Sequence, residues 1–300
     1  MHDFLDSPET RIQILDIESI INRISVCRPY FAFHHLYKVI DSDWEIYGSF
    51  SRQKQMRTEM GPMATAEICR HLGVLGSCAA ALDSDIQLPS RYVATHANWI
   101  RQSPPFGSLP DTRFTGRARV IDRSDMNVDV EVQLCHGDVT VGTLHARYAT
   151  FDTSTFRDRF ASTRDILAST RVDPQCHLPS PIKFAEIKND HVKAFSENFS
   201  LAHCMGHFSD FPVWPAASIM SALGQTTEQL LNCSAGRAVH YEVKDSNLEL
   251  ATTIPTDRAL EFETRVLLRN NTSQKITSRV FQGYRQVAEL QSDIFIHVNK

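Results

Sequence analysis

Strict alternation of apolar and polar side chains occurs in two stretches of the chain. Val128, Val130, Val132 and Leu134 alternate with Asp129, Glu131 and Gln133; Phe262, Thr264, Val266 and Leu268 alternate with Glu261, Glu263 and Arg265. A period of two buries one face of a strand and leaves the other in water. A turn follows each stretch, His136-Gly137-Asp138 in the first and Asn270-Asn271 in the second, and then a returning strand, Val139 to Phe151 and Ile276 to Tyr284. Arg91 to Arg101 and Arg117 to Ile121 read as strands ahead of the first alternation. His240 to Thr253, a strand pair or one bent strand, precedes the second, and Gln286 to Val298 closes it. Before each meander stands an apolar, small-residue helix entered through a break in the chain. Gly61-Pro62 leads into the first, whose core stripe is Ile68, Leu72, Leu75, Ala79 and Leu82, and Pro212 and Pro215 lead into the second. The same order, long helix then antiparallel meander, is an internal repeat. It predicts an α+β fold in which each helix packs on the apolar face of a sheet.

The repeat divides the 300 residues into an N-terminal unit over 1–151, a connector over 152–180 and a C-terminal unit over 181–300. Two domains of about 150 residues suit this length. The connector is polar with late prolines, and Ile166-Leu167 suggests a short helix inside it. Residues 10–24 place Ile12, Ile14, Leu15, Ile17, Ile20, Ile21 and Ile24 at helical spacing, which predicts an amphipathic helix ahead of the first unit.

Composition mainly excludes. A net charge of −4 leaves no electrostatic footprint for nucleic acid, and no apolar run approaches the ~18 residues of a membrane span. The start, Met1-His2-Asp3-Phe4-Leu5-Asp6, lacks the basic and apolar regions of a signal peptide. Seven cysteines, an odd number at scattered spacing, read as reduced thiols of a cytoplasmic protein. There is no phosphate-binding loop, dinucleotide fingerprint or G-x-S-x-G, and no cofactor is expected. His203 and His207 stand four apart, but the intervening Met205-Gly206 argues against a helix and no third ligand stands out, so no metal is expected.

The candidate chemistry lies in Gly206-His207-Phe208-Ser209-Asp210-Phe211-Pro212-Val213-Trp214-Pro215, which runs into Ala216-Ala217. Two prolines forbid a strand, because each removes a ladder donor. Pro215 fits the beginning of a helix, whose free first-turn N–H groups, from Ala216 on, can polarise a carbonyl held beside His207. In the first half, Glu67 and His71 lie one turn apart on the helix that follows Gly61-Pro62. Aligning Gly61 with Pro215 sets Glu67 opposite Ser221 and His71 opposite Gln225; aligning Pro62 instead shifts this by one residue. Trp99 and Trp214 read as core or tunnel lining.

The second-half segment resembles the active-site signature of the hotdog-fold β-hydroxyacyl-ACP dehydratases, roughly G-H-F-P-x-x-P-x-x-P-G followed by a helix with E-A-x-x-Q. Gly206, His207, Phe208, Pro212, Pro215, Ala222 and Gln225 match; Ser209 replaces a Pro, Ala216 replaces the Gly, and Ser221 stands where the family has its catalytic Glu. The Glu67-x-x-x-His71 spacing is similar to the D-x-x-x-Q/H motif of polyketide-synthase dehydratase domains, with the halves in reversed order. In the dehydratase family two hotdog units pair and each site takes its His from one and its acid from the other. The resemblance therefore implies a double hotdog in one chain with a single Glu67/His207 site.

That site would dehydrate a 3-hydroxyacyl thioester, carried by an acyl-carrier protein or coenzyme A, in a polyketide or specialised fatty-acid pathway. Neutral His207 would take the α-proton, and Glu67, with a pKa raised by burial, would protonate the leaving hydroxyl. His71, Gly206, Phe208, Trp214, Pro215, Ala216 and Gln225 would support the site or bind substrate. The same fold hosts acyl thioesterases, in which a helix carboxylate such as Glu67 activates water, and the departures at Ser209, Ala216 and Ser221 admit a non-catalytic acyl-binding protein. The chain is expected as a monomer or homodimer.

Overall fold

The structure is a computed structural model and describes residues 11–53, 57–84, 89–102, 113–160, 181–196, 204–208, 213–251, 254–256, 258–270 and 272–297. The first half runs β1 (Ile12–Ile14), α1 (Ile17–Ile24), β2 (His35–Val39), β3 (Ile46–Ser51), α2 (Thr65–Leu82), β4 (Ser90–Arg101), β5 (Arg113–Arg123), β6 (Asn127–His136) and β7 (Val139–Asp152). A helix α3 (Thr153–Phe160) leads out of it. The second half runs β8 (Ile182–Ile187), β9 (His191–Ser196), α4 (Ala216–Ala235), β10 (His240–Leu250), β11 (Glu261–Arg269), β12 (Ser273–Gln282) and β13 (Arg285–His297).

These strands form one antiparallel sheet in the order β1-β2-β3-β5-β6-β7-β4-β10-β13-β12-β11-β9-β8. The order reads as a mirror about β4 and β10: β7 corresponds to β13, β6 to β12, β5 to β11, β3 to β9 and β2 to β8. The fold is the α+β double hotdog that the family resemblance implied. The halves meet where β4 pairs with β10, with Asp245 opposite Ile100, Asn247 opposite Asn98 and Glu249 opposite His96. Helices α2 and α4 pack against each other on the same side of this sheet.

Helix α2 is buried nearly all round, as its alanines, glycines and leucines allow. Ile68, Leu72, Leu75, Cys78 and Ala79 are fully enclosed. Several glycines let the sheet approach closely. A Cβ at Gly116 would stand 2.7 Å from Leu75, and one at Gly48 2.6 Å from Phe33.

Three expectations are revised. The predicted helix over 10–24 is shorter: Ile12–Ile14 pairs with β2, and the helix begins only after Asp16, whose carboxylate accepts from Glu18 N at 3.2 Å. The connector begins as a helix, α3, because Phe156 and Phe160 have a core to enter; Ile166-Leu167 lies outside the described residues. His240 to Thr253 is a single strand as far as Leu250, with a register break between Val243 and Asp245, and Thr252 and Thr253 lie outside the described residues. The hairpins β2–β3 and β8–β9 add strands that the alternation did not reveal.

Gly142 of β7 tests the tightness of the joint. A Cβ there would meet the Ile100 carbonyl oxygen at 2.6 Å and the Trp99 ring at 2.4 Å, and Trp99 is fully buried. Gly142→Ala should therefore lower stability by about 1–3 kcal/mol. Urea unfolding monitors this, and an unchanged midpoint would contradict the packing described.

Candidate active site

The loop carrying His207 is fixed by both halves of the chain. Gly206 has φ +84°, and a Cβ there would stand 2.2 Å from the Cys27 carbonyl oxygen, so only glycine fits. Cys27 N donates to Gly206 O at 2.7 Å, and Val26 bridges to His207. Phe208 takes a positive φ of 49° and is buried against Phe156 of α3, ring centroids 5.2 Å apart. Cys204 Sγ donates to Val213 O at 3.2 Å, and Trp214 N donates to Ile254 O at 2.9 Å, which pins the approach to α4. Ser209 and Pro212, and His203, lie outside the described residues.

The His207 ring packs between Tyr30, at 4.9 Å, and Phe208, at 4.2 Å. Its Nδ1 is buried with no hydrogen-bond partner. Removal from water pushes its pKa down to about 3, so the ring is neutral at pH 7.

Pro215 is the N-cap of α4, with its carbonyl accepting from Ser218 N at 3.0 Å and Ile219 N at 3.2 Å. A proline supplies no side-chain cap, so the first turn of α4 presents its N–H groups and the positive end of its dipole toward Ala216 and Ala217. Helix α2 begins differently. Its N-cap, Ala64, has no capping side chain either, but Glu59 Oε1 accepts from Thr65 N at 2.8 Å and Thr65 Oγ1 at 2.6 Å. The start of α2 is met by the Glu59 carboxylate; at α4 the N-cap residue itself supplies no side chain.

Beside the start of α4 lies a cavity of about 90 Å³. Tyr30, Arg70, Gly73, Val74 and Ser77 line it from the first half, and His207, Trp214, Ala216, Ala217 and Met220 from the second. Ala97 and Leu144 form part of its floor, and Leu248 and Ile254 complete it from the second half. Of the residues the sequence singled out, His207, Trp214 and Ala216 border this cavity, and Gly206, Phe208 and Pro215 are not among its lining residues. Cys69 also borders it, but burial, with a small contribution from Glu59, pushes its thiol up to about 12, which removes it as a nucleophile.

Glu67 and His71 are not among the lining residues. They face the β3 side of α2: His71 stacks on Phe50 at 4.3 Å, and Glu67 Oε1 accepts from Gln53 N at 2.5 Å. His71 Nε2 lies 3.1 Å from Arg70 Nη2 and 3.7 Å from Glu67 Oε1. Burial above all holds His71 down at about 4. Burial would also raise the Glu67 carboxyl, but nearby His71, the Gln53 N–H and the Arg70 charge outweigh it and hold the pKa below its ordinary value. This reverses the expectation of a raised, proton-donating Glu67.

The helix starts explain the difference. The sequence register aligned Gly61 with Pro215, but residues 61–63 are a turn and the N-cap is Ala64. Aligning Ala64 with Pro215 sets Arg70, not Glu67, opposite Ser221, and Val74 opposite Gln225. Gln225 itself is outside the lining, with Nε2 3.3 Å from Ser221 O. Arg70 was missed because a basic residue within an apolar helix has no place in the motif being sought. Among the described residues no group of three His, Cys, Asp or Glu side chains is placed to hold a metal.

No protein-family profile and no curated protein sequence matches this chain. Solved structures do match. A tesB protein of Mycobacterium avium subsp. paratuberculosis aligns with a TM-score of 0.56 over 86% of this chain and 94% of its own, at 8% identity. A hot dog-fold protein of unknown function from Alicyclobacillus acidocaldarius gives 0.55 over 86% and 95%, at 8% identity. An acyl-CoA thioesterase II, TesB2, of Mycobacterium marinum gives 0.51 over 85% and 92%, at 8% identity. Matches over most of both chains at such identities show a shared double-hotdog fold.

Two measurements check the site. Gly206→Ala should release the His207 loop, because neither its φ nor the Cys27 carbonyl tolerates a Cβ. The His207 imidazole signal should then move toward that of an exposed ring by NMR, and an unmoved signal would contradict the anchoring. The folded values of about 3 and 4 for His207 and His71 lie below the ~6.5 of a free imidazole. The unfolded chain therefore binds more protons in that window, and stability is full above pH 6.5 and falls as pH drops toward 4. His207→Gln should flatten that fall in urea midpoints taken between pH 7.5 and 4.5; an identical slope would count against a buried neutral ring.

Proposed function

We propose that the chain hydrolyses acyl thioesters in the cavity between α2 and α4, with His207 as general base and the first turn of α4 as the oxyanion site. The observation that carries this reading is the joint placement of a neutral His207, its Nδ1 without a hydrogen-bond partner, and the start of α4 on one largely apolar cavity built from both halves. The tesB protein and the TesB2 acyl-CoA thioesterase share the fold, which favours thioester chemistry without fixing it.

The steps follow from the parts. His207 takes a proton from water as the water oxygen adds to the thioester carbonyl carbon. The carbonyl oxygen becomes negative and is met by N–H groups of the first turn of α4. Burial weakens His207 as a base, and the oxyanion forming beside it offsets this by stabilising the imidazolium. Collapse breaks the carbon–sulfur bond, and the departing thiolate takes the proton from His207, leaving a free acid and a thiol. The thiol belongs to coenzyme A or to the pantetheine arm of an acyl-carrier protein.

Dehydration remains a second reading because Gly206-His207-Phe208 and Pro215 match that family's loop. It requires a proton donor for the departing hydroxyl, and no aspartate or glutamate is among the described residues that line the cavity. Glu67, ionised and turned toward β3, serves better as the group that holds Gln53, and through it Arg70.

Mass spectrometry of the protein with saturated and 3-hydroxyacyl thioesters, on coenzyme A and on a carrier protein, tests the reading. Free acid should form from the saturated substrates. His207→Ala should lower kcat by about 10²–10⁴-fold, and Glu67→Gln by much less. Loss of water from the 3-hydroxyacyl substrate, abolished by Glu67→Gln, would replace hydrolysis with dehydration. No product from any substrate would leave an acyl-binding protein.

A further inference from the structure

Arg70 is the one charged side chain among the described residues lining the cavity. It is buried on the second turn of α2, with its guanidinium 5.8 Å from the Tyr30 ring, and Tyr30 in turn packs on His207. Nη2 is occupied: it donates to Gln53 Oε1 and lies 3.1 Å from His71 Nε2. Nε and Nη1 are closed to water and have no acceptor. Glu67 feels the Arg70 charge, but its carboxylate is bonded to Gln53 N and is not hydrogen-bonded to those two nitrogens.

An arginine with two open donor nitrogens is expensive to bury, and neither the Nη2 bond to Gln53 nor the nearby Glu67 charge answers those two. Helix α2 needs no cation at this position, since leucine, alanine and glycine satisfy the packing around it. Arg70 therefore brings two unanswered N–H donors to the cavity wall. We propose that the acyl group taken here is a short one ending in a carboxylate, whose oxygens meet the open donors of Arg70 while the thioester carbonyl meets the first turn of α4. This rests on the reading above that the cavity holds an acyl thioester. The small volume, about 90 Å³, favours a short chain. A carboxylate answers the charge as well as the donors, which an alkyl chain does not.

The test uses two ketone analogues of coenzyme A thioesters in which CH₂ replaces the sulfur, so that hydrolysis cannot occur: succinyl-dethia-CoA and butyryl-dethia-CoA. Calorimetry with the full chain should show the succinyl analogue binding at least about tenfold tighter. Arg70→Gln should bring the ratio close to one, and Arg70→Lys, which keeps the charge and guards against misreading a misfolded variant, should retain part of it. Equal binding by the wild type, a ratio unchanged in Arg70→Gln, or binding of neither analogue would overturn the proposal. Parallel turnover of succinyl- and butyryl-CoA separates the two readings. Hydrolysis of both without preference, with equal analogue binding, would leave the hydrolase and remove the carboxylate. Carboxylate-selective binding without hydrolysis would do the reverse.

Discussion

The pairing of β4 with β10 is the constraint on which the rest depends. It joins two meanders into one sheet, and the helix of each half then has its apolar partner on the same side. With the strands antiparallel across the joint, α2 and α4 lie against each other, and the space at their junction belongs to neither half alone. A cavity walled by Tyr30 and Arg70 on one side and His207 and Met220 on the other exists only because that joint is made. The His207 loop obeys the same constraint, since its glycine closes onto the Cys27 carbonyl of the first half.

A repeated fold offers two helix starts, and the chain treats them oppositely. At α2 the first N–H, that of Thr65, is taken by Glu59, whose own pKa is raised by burial even as Thr65 bonds to it. At α4 the cap is a proline, with alanines behind it, and the partially positive end of the helix faces an apolar space. The free energy available to a bound carbonyl is therefore concentrated at one of the two positions.

Much of this was legible in the residues. Val128 to Leu134 and Phe262 to Thr264 revealed their strands by period, because the sheet has one buried and one wet face there. The Gly206-His207 segment was legible because glycine and proline leave few backbone options. The flanking hairpins were not, since β2 and β8 are short edge-proximal strands with mixed burial. The partner of His207 was misread for a local reason: Gly61-Pro62 looks like a helix entry, yet the helix begins after Ala64, and a three-residue displacement rotates a different side chain into the cavity. Sequence pattern places an element to within a turn, whereas a site needs the face of the helix. That face is decided by tertiary contacts such as His71 on Phe50.

A crystal structure of the chain with a hydrolysis-resistant acyl-dethia-CoA tests most directly whether a thioester carbonyl sits at the first turn of α4 beside His207. The ketone oxygen should lie within hydrogen-bond reach of the Ala216 or Ala217 N–H, with the His207 ring alongside and the acyl group running toward α2. A ketone seated instead at the start of α2, against Glu59 or Glu67, would contradict this placement.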